Sequence, residues 1–487
     1  MKRIALGVVV AASTLLAGAA SAQTPPKAGH IEWQPLKFAT TEGRKQTVDA
    51  EAGILWVEEN WQQPNGRLIG LRLVRLPATT TAPGDPVVYL AGGPGGSGTR
   101  SAAGDRFPLF MKLRHVGHVI ALDQRGVLSI PFPACRTPYQ MPLNQPLSVD
   151  AILGALLPVS RACAERWTRE GVDLAQYHTN NSADDLEALR TALGAERLNL
   201  IGISYGTHLG LATLKKHPKL TRRAVFAGTE GLDDTLKLPS RVDAQFDRIA
   251  RLADADPAIR RATGGLRSAV QQLLETLRAA PRRVSVKAPN GDQITVTVGP
   301  ADLQAAIVDN MNERDDIAEL PARVVRMIKG DFSLLALWSG TYRNAPGLNA
   351  MSFTMDCASG ATAARRQRIE REASSALVGN MANAAFPAVC EAWPHVDLGD
   401  AYRAPATSDV PTLFLSGTLD GRTPPEQAED VRAGFASSWH VRILNGGHDD
   451  DLLISSPLIG DMIVRFLLGE APGRDTIDLG PIRFRRP

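Results

Sequence analysis

The chain has 487 residues, 44% hydrophobic and 22% charged, which is ordinary globular composition and too apolar for a disordered chain. Lys and Arg total 54 against 51 Asp and Glu, a balance that gives no electrostatic reason to expect nucleic acid or an anionic membrane as partner. The length fits two or three folding units, or equally one α/β core carrying a large insertion.

Residues 1–22 read as a secretory signal: Lys2 and Arg3, an apolar stretch over 4–16, then Ala20-Ser21-Ala22 as an A-x-A cleavage site before Gln23. The alternative, a retained membrane anchor, is disfavoured because the apolar run falls short of the ~18–20 residues a span needs. No Cys follows the cleavage site to carry a lipid, and no later segment is long enough to span. The expectation is an exported protein, periplasmic or secreted, with no membrane anchoring after cleavage. Export permits disulfides. Cys135, Cys163, Cys357 and Cys390 allow three pairings, and chain neighbours (135 with 163, 357 with 390) would close loops within single structural units, which favours that pairing. Their spacing is not that of a zinc finger, so no metal site is expected.

Apolar runs bounded by turn residues then recur along the chain. Residues 31–38 and 68–76 alternate, as antiparallel edge strands would, whereas 86–90 (PVVYL), 117–122 (GHVIAL), 198–203 (LNLIGI), 223–227 (RAVFA), 411–416 (PTLFLS) and 439–444 (WHVRIL) are continuous and read as strands buried on both faces. Helical stretches between them predict a mostly parallel α/β sheet with an antiparallel start and helices on both faces. Between 227 and 411 the strand rhythm stops, over a span far too long for one βα connection. That span is mainly helical (242–253, 266–279, 300–312, 318–328, 364–378) with one β-hairpin predicted at 284–298 around Asn290-Gly291. A helical insertion late in such a sheet is most simply a cap over the strands' C-terminal ends. The expected division is core over 23–230, cap over 231–405 and core again over 406–487.

Gly202-Ile203-Ser204-Tyr205-Gly206 follows the LNLIGI strand and precedes a helix-like run, the context of a G-x-S-x-G nucleophile elbow that holds a serine at a strand's tip. A hydroxyl needs a base, and the base an orienting carboxylate. Asp420 stands directly after one late strand and His448 after the next, behind a Gly-Gly turn, giving the chain order serine, acid, histidine. His208, in the helix after the elbow, and His440, in a strand, read as packing or surface residues, and Asp449, Asp450 and Asp451 as a solvated run. For the developing oxyanion, the backbone N–H of Tyr205 is one expected donor; Gly93, in the glycine-rich loop 91–98 after PVVYL, is the other. A phosphate-cradling reading of that loop fails for want of G-K-[ST] or a G-x-G-x-x-G opening a helix.

Gly92-Gly93-Pro94-Gly95 and Asp123-Gln124-Arg125-Gly126 resemble the H-G-G-P-G loop and the D-Q-R-G segment of the prolyl aminopeptidase (proline iminopeptidase) family. Gly202 to Thr207, the long insertion, and the closing G-T-L-D-x-x-T-P and G-G-H are similar to the secreted tripeptidyl aminopeptidase branch, and the resemblance runs over about 30–470. It implies an α/β-hydrolase fold with a mainly helical cap, a serine triad, no cofactor, and removal of residues from peptide N-termini. Ala91 in place of the loop histidine and Tyr205 in place of the tryptophan after the nucleophile move the expectation away from strict proline specificity. Arg125 reads as a structural tie between loops rather than a substrate contact.

Peptide substrates with a free N-terminus need a carboxylate near the nucleophile to receive the ammonium. Glu230, just after the RAVFA strand, is the first candidate and Asp356, beside Cys357, the second; Glu230 as a plain loop or cap-hinge carboxylate is the alternative. An esterase or other small-molecule hydrolase uses the same triad, and a non-catalytic binding protein is the third class, against which the joint presence of Ser204, Asp420 and His448 argues.

Overall fold

A computed structural model describes residues 26–41, 46–131, 135, 138–345 and 350–486; the predicted signal at 1–22 lies outside them. Three strands, β1 (Ile31–Ala39), β2 (Thr47–Glu58) and β3 (Leu68–Leu76), pair antiparallel in chain order. β4 (Gly84–Leu90) and β5 (Gly117–Leu122) then run parallel to each other, with β5 beside β3. A two-residue β6 (Tyr139–Gln140) precedes β7 (Leu198–Ile203) and β8 (Thr221–Ala227). After them come a hairpin of β9 (Arg282–Lys287) and β10 (Gln293–Val298), the short β11 (Asn344–Ala345) paired to β6, and the closing strands β12 (Thr412–Gly417), β13 (Ser438–Leu444) and β14 (Thr476–Asp478). The main sheet has ten strands in the order β1-β2-β3-β5-β4-β7-β8-β12-β13-β14, parallel from β5 onward.

Every residue of β7 and β12 is buried, which is why their sequences are continuous apolar runs. Alternate residues divide between two cores. Val88, Leu90 and Leu200 pack under helices Val149–Arg169, Thr179–Ala192 and Tyr205–Lys216; Val87, Tyr89 and Ile201 pack under Phe107–Leu113 and Pro457–Leu467.

The segment between β8 and β12 builds a third core from Phe246, Val270, Val296, Leu303 and Val324, on helices Pro239–Asp254, Leu266–Ala279, Pro300–Asn310 and Arg314–Ile328 and on β10. Two predicted boundaries move for local reasons. The helix expected over 318–328 starts at Arg314, whose N–H is met by Asp451 Oδ2 at 2.7 Å. The one expected over 364–378 is Ala363–Ala373, because Asp243 Oδ2 accepts the N–H of Leu377 at 2.9 Å and holds that stretch off the helix. Disulfides join Cys135 to Cys163 and Cys357 to Cys390, with Cα separations of 5.7 and 5.5 Å.

Candidate active site

Ser204 sits between β7 and helix Tyr205–Lys216 with φ 54° and ψ −125°, a conformation that costs a non-glycine residue energy and that the flanking glycines make possible. A Cβ on Gly202 would lie 2.6 Å from the Gly206 carbonyl oxygen, and one on Gly206 would run into the carbonyl of Leu90. Only glycine at both positions lets β7 turn sharply into the helix. Ser204 N–H donates to the Ala227 carbonyl at 3.0 Å, and its own carbonyl accepts from Thr207 N–H at 2.8 Å and Thr207 Oγ1 at 2.7 Å.

The glycine-rich loop runs beside the serine: a Cβ on Gly92 would be 3.1 Å from Ser204 Cβ. Gln124 Nε2 donates to the Ala91 carbonyl at 3.0 Å, and Asp123 accepts from Ser97 Oγ at 2.7 Å and from Thr99 N–H at 3.1 Å. Asp123 and Gln124 thus fasten the loop that carries Gly93. Arg125 is fully buried, paired with Asp185 through Nε (2.8 Å) and Nη2 (2.6 Å), and donates to the carbonyls of Glu59 and Gln176, each at 2.9 Å, so it does tie loops together.

Asp420 is fully buried beyond β12, and its Oδ1 accepts the N–H groups of Arg422 (2.7 Å) and Thr423 (2.8 Å). Its Oδ2 accepts from Thr423 Oγ1 at 2.8 Å and lies 2.7 Å from His448 Nδ1. A carboxylate can only accept, so Nδ1 carries the proton of the neutral ring and Nε2 is left with its lone pair. Gly228, at φ +60°, passes so close to the imidazole that a Cβ there would be 2.8 Å from His448 Cε1. Ser204 and His448 therefore approach adjacent residues at the end of β8, one at Ala227 and the other at Gly228.

Glu230 is buried, and its N–H donates at 2.8 Å to Thr207 Oγ1, the same hydroxyl that donates to the nucleophile's own carbonyl. Its carboxylate is already paired: Lys237 Nζ is 2.5 Å from Oε2 and also donates to the Asp234 carbonyl at 3.0 Å. His208, buried and stacked on Tyr205 at 5.6 Å between ring centroids, donates from Nδ1 to the Gly231 carbonyl (3.0 Å) and accepts at Nε2 from Tyr402 OH (2.6 Å). Burial holds that imidazole below its usual pKa, in keeping with a neutral ring. Asp356 lies on helix Ala350–Ser359, next to Met355, whose Sδ accepts from Tyr205 OH at 2.9 Å. Loss of hydration and the Glu230 charge push its carboxyl well above the usual range, with Lys237 opposing. Of the two candidate carboxylates, only Glu230 is in contact with the Lys237 ammonium.

Asp449, Asp450 and Asp451 are not a solvated run. Arg106 pairs with Asp449 and with Asp450 (2.8 Å), and Asp451 Oδ2 accepts from Gly447 N–H at 2.8 Å, bracing the His448 loop. Sequence reasoning missed Thr423, Gly228 and Lys237. Thr423 could have been found from its place three residues after the acid; nothing local marks Lys237 as the partner of Glu230. Among the described residues, no group of three or more His, Cys, Asp and Glu side chains could hold a metal, and no helix is long and apolar enough to cross a membrane.

A parallel sheet with an antiparallel start, a strained serine between strand and helix, and an Asp–His pair after later strands define an α/β-hydrolase with a serine at its centre. The chain belongs to the alpha/beta hydrolase fold family, which matches residues 85–451, and is a serine hydrolase. Serine protease Hip1 of Mycobacterium tuberculosis is 25% identical over 509 residues, covering 94% of each chain. The tripeptidyl aminopeptidase of Streptomyces lividans is 26% identical over 473 residues, covering 90% of this chain and 85% of its own. The putative hydrolase YuaR of Escherichia coli is 28% identical over 191 residues, 38% of this chain and 37% of its own.

Proposed function

We propose that this protein is an exported serine exopeptidase that releases residues, singly or as di- or tripeptides, from peptide N-termini. The observation that carries the reading is the Asp420–His448 contact of 2.7 Å beside a serine held on a strained elbow. In this reading Ser204 Oγ attacks the scissile carbonyl carbon while His448 Nε2 takes its proton. The N–H groups of Gly93 and Tyr205 receive the oxyanion. The C–N bond then breaks, His448 returns the proton to the leaving amine, and water repeats the sequence on the acyl-enzyme. Asp356 and Glu230 receive the substrate's ammonium. Support for peptide substrates comes from the relatives, a serine protease and a tripeptidyl aminopeptidase; support for export comes from the 1–22 pattern and the two disulfides.

The Glu230–Lys237 pair favours a second reading, an esterase. A carboxylate already neutralised inside the pocket attracts a substrate ammonium less, and a neutral acyl group meets a smaller desolvation cost. A panel of aminoacyl, dipeptidyl and tripeptidyl chromogenic amides, with N-acetylated counterparts and simple esters, separates the two. Turnover of free-amine substrates well above their acetylated forms supports the exopeptidase; equal turnover, or esters alone, overturns it.

A further inference from the structure

Backbone carbonyls enclosed by protein need partners, and those of the glycine-rich loop show what holds it beside Ser204. The Ala91 carbonyl accepts from Gln124 Nε2 at 3.0 Å, the Gly92 carbonyl from Gly96 N–H at 3.0 Å, and the Pro94 carbonyl from Ser352 Oγ. Gln124 and Gly96 stand in loops that follow β5 and β4, whereas Ser352 comes from the insertion, 258 residues along the chain from Pro94. Gly93 lies among these fixed groups at φ +120°, a value open to glycine.

Ser352 is one of three residues that seat helix Ala350–Ser359 on the loops around the nucleophile. Met351 fills the room that Gly126 leaves, since a Cβ there would lie 1.5 Å from Met351 Cε. Met355 Sδ accepts Tyr205 OH at 2.9 Å, and that hydroxyl also meets Thr179 Oγ1 at 2.8 Å. Positions 351, 352 and 355 share one side of a helix. The helix therefore touches the residue after one expected oxyanion donor, Gly93, and the side chain of the other, Tyr205. Its far end is fixed by the Cys357–Cys390 disulfide, by Arg403 Nε on the Ser359 carbonyl (2.6 Å) and by Leu398 N–H on the Ala358 carbonyl (3.0 Å).

We propose that Ser352 is a positioning residue for the oxyanion hole, so that the insertion takes part in forming the hole. By holding the Pro94 carbonyl, Ser352 fixes the turn whose Gly96 N–H holds the Gly92 carbonyl. That carbonyl belongs to the same planar peptide unit as Gly93 N–H, so fixing one aims the other. Donors held in advance are the ones that stabilise a developing oxyanion. The inference rests on the reading of Ser204 as nucleophile with Gly93 and Tyr205 as oxyanion donors, and it is the same whether the acyl group comes from a peptide or a simple ester.

Turnover of a 4-nitrophenyl ester by S352A, by the matched pair S352T and S352V, and by S204A tests it, with thermal melting as the check on folding. S352A is expected to lose about tenfold in kcat with KM little changed, less than the ~10²–10³-fold that removing an oxyanion donor costs. Thr and Val have the same shape, so S352T should keep kcat well above S352V, which separates the hydroxyl from packing. Phenylboronic acid, whose boron accepts Ser204 Oγ and leaves a boron-bound oxygen in the hole, should bind S352A more weakly by a similar factor. Unchanged kcat in folded S352A, a change in KM alone, or equal rates in S352T and S352V would overturn the positioning role. Activity retained in S204A would instead overturn the nucleophile reading on which it rests.

Discussion

Lys237 Nζ stands 2.5 Å from Glu230 Oε2, so the first carboxylate expected to greet a substrate's ammonium carries a resident one. The carboxylate side chain is only 7% exposed and the lysine 18%, which makes removal of either partner costly to the other. The carboxyl of Asp356, the second candidate, has no such partner among the described residues.

Glu230→Gln should lower unfolding free energy by about 3 kcal/mol, because it leaves Lys237 charged and mostly enclosed. Lys237→Met should cost a similar amount, and the double variant less than the sum of the two. Urea denaturation of all four proteins measures the coupling. Strict additivity would mean that the pair is no working contact. For turnover, Glu230→Gln should raise KM for peptides with free N-termini and leave simple esters unaffected.

Ser204→Ala should abolish turnover without loss of folding, since it removes the nucleophile and one oxygen of bulk. His448→Ala should be nearly as severe and Asp420→Asn less so, each on the order of 10³-fold or more in kcat. Pre-steady-state measurement on a chromogenic ester should show no acyl-enzyme burst in Ser204→Ala. Thr423→Val, which removes the hydroxyl donated to Asp420 Oδ2, should lower kcat by roughly tenfold through loss of one hydrogen bond to a charged group.

Gly228→Ala tests the approach of the β8 end to the imidazole. The added Cβ would sit 2.8 Å from His448 Cε1 at a residue with φ +60°, so either the ring or the strand end must shift. A fall in kcat of about 10²-fold with KM little changed is expected, since small displacements of reacting groups cost that much. Wild-type kcat in a folded Gly228→Ala protein would show that the strand end, not the ring, absorbs the added methyl.

Asp356 provides a dependence on pH. Its folded-state pKa lies above the unfolded carboxylate value, so the native protein holds this proton over a range where the unfolded chain has lost it. The corresponding stability is complete below the unfolded value and declines as pH rises through the native one; Asp356→Asn should lack that decline. A bound ammonium favours the ionised carboxyl, so KM for free-amine peptides should fall as pH rises over the same range. Neither Asp356→Asn nor N-acetylated peptides should show the effect, and stopped assays across pH compare them directly.

The local pattern of residues was sufficient for the fold class and for eight strands of the main sheet, whereas β2 and β14 were not among the strands it predicted. Continuous apolar runs identify strands buried on both faces, and glycines at 202 and 206 around Ser204 identify the elbow, because both depend on neighbours along the chain. Asp420 and His448 were legible for the same reason: each follows a strand directly, and a parallel sheet delivers such loops to one edge. What tertiary structure alone decided is how side chains distant in sequence meet. That Lys237 pairs with Glu230, and that Thr423 supports Asp420 while Gly228 makes room for His448, follow from how the chain folds back onto the sheet. Charge pairing across such distances leaves no periodic trace in the sequence, since a lysine in a loop has the same local signature whether it meets water or a buried carboxylate.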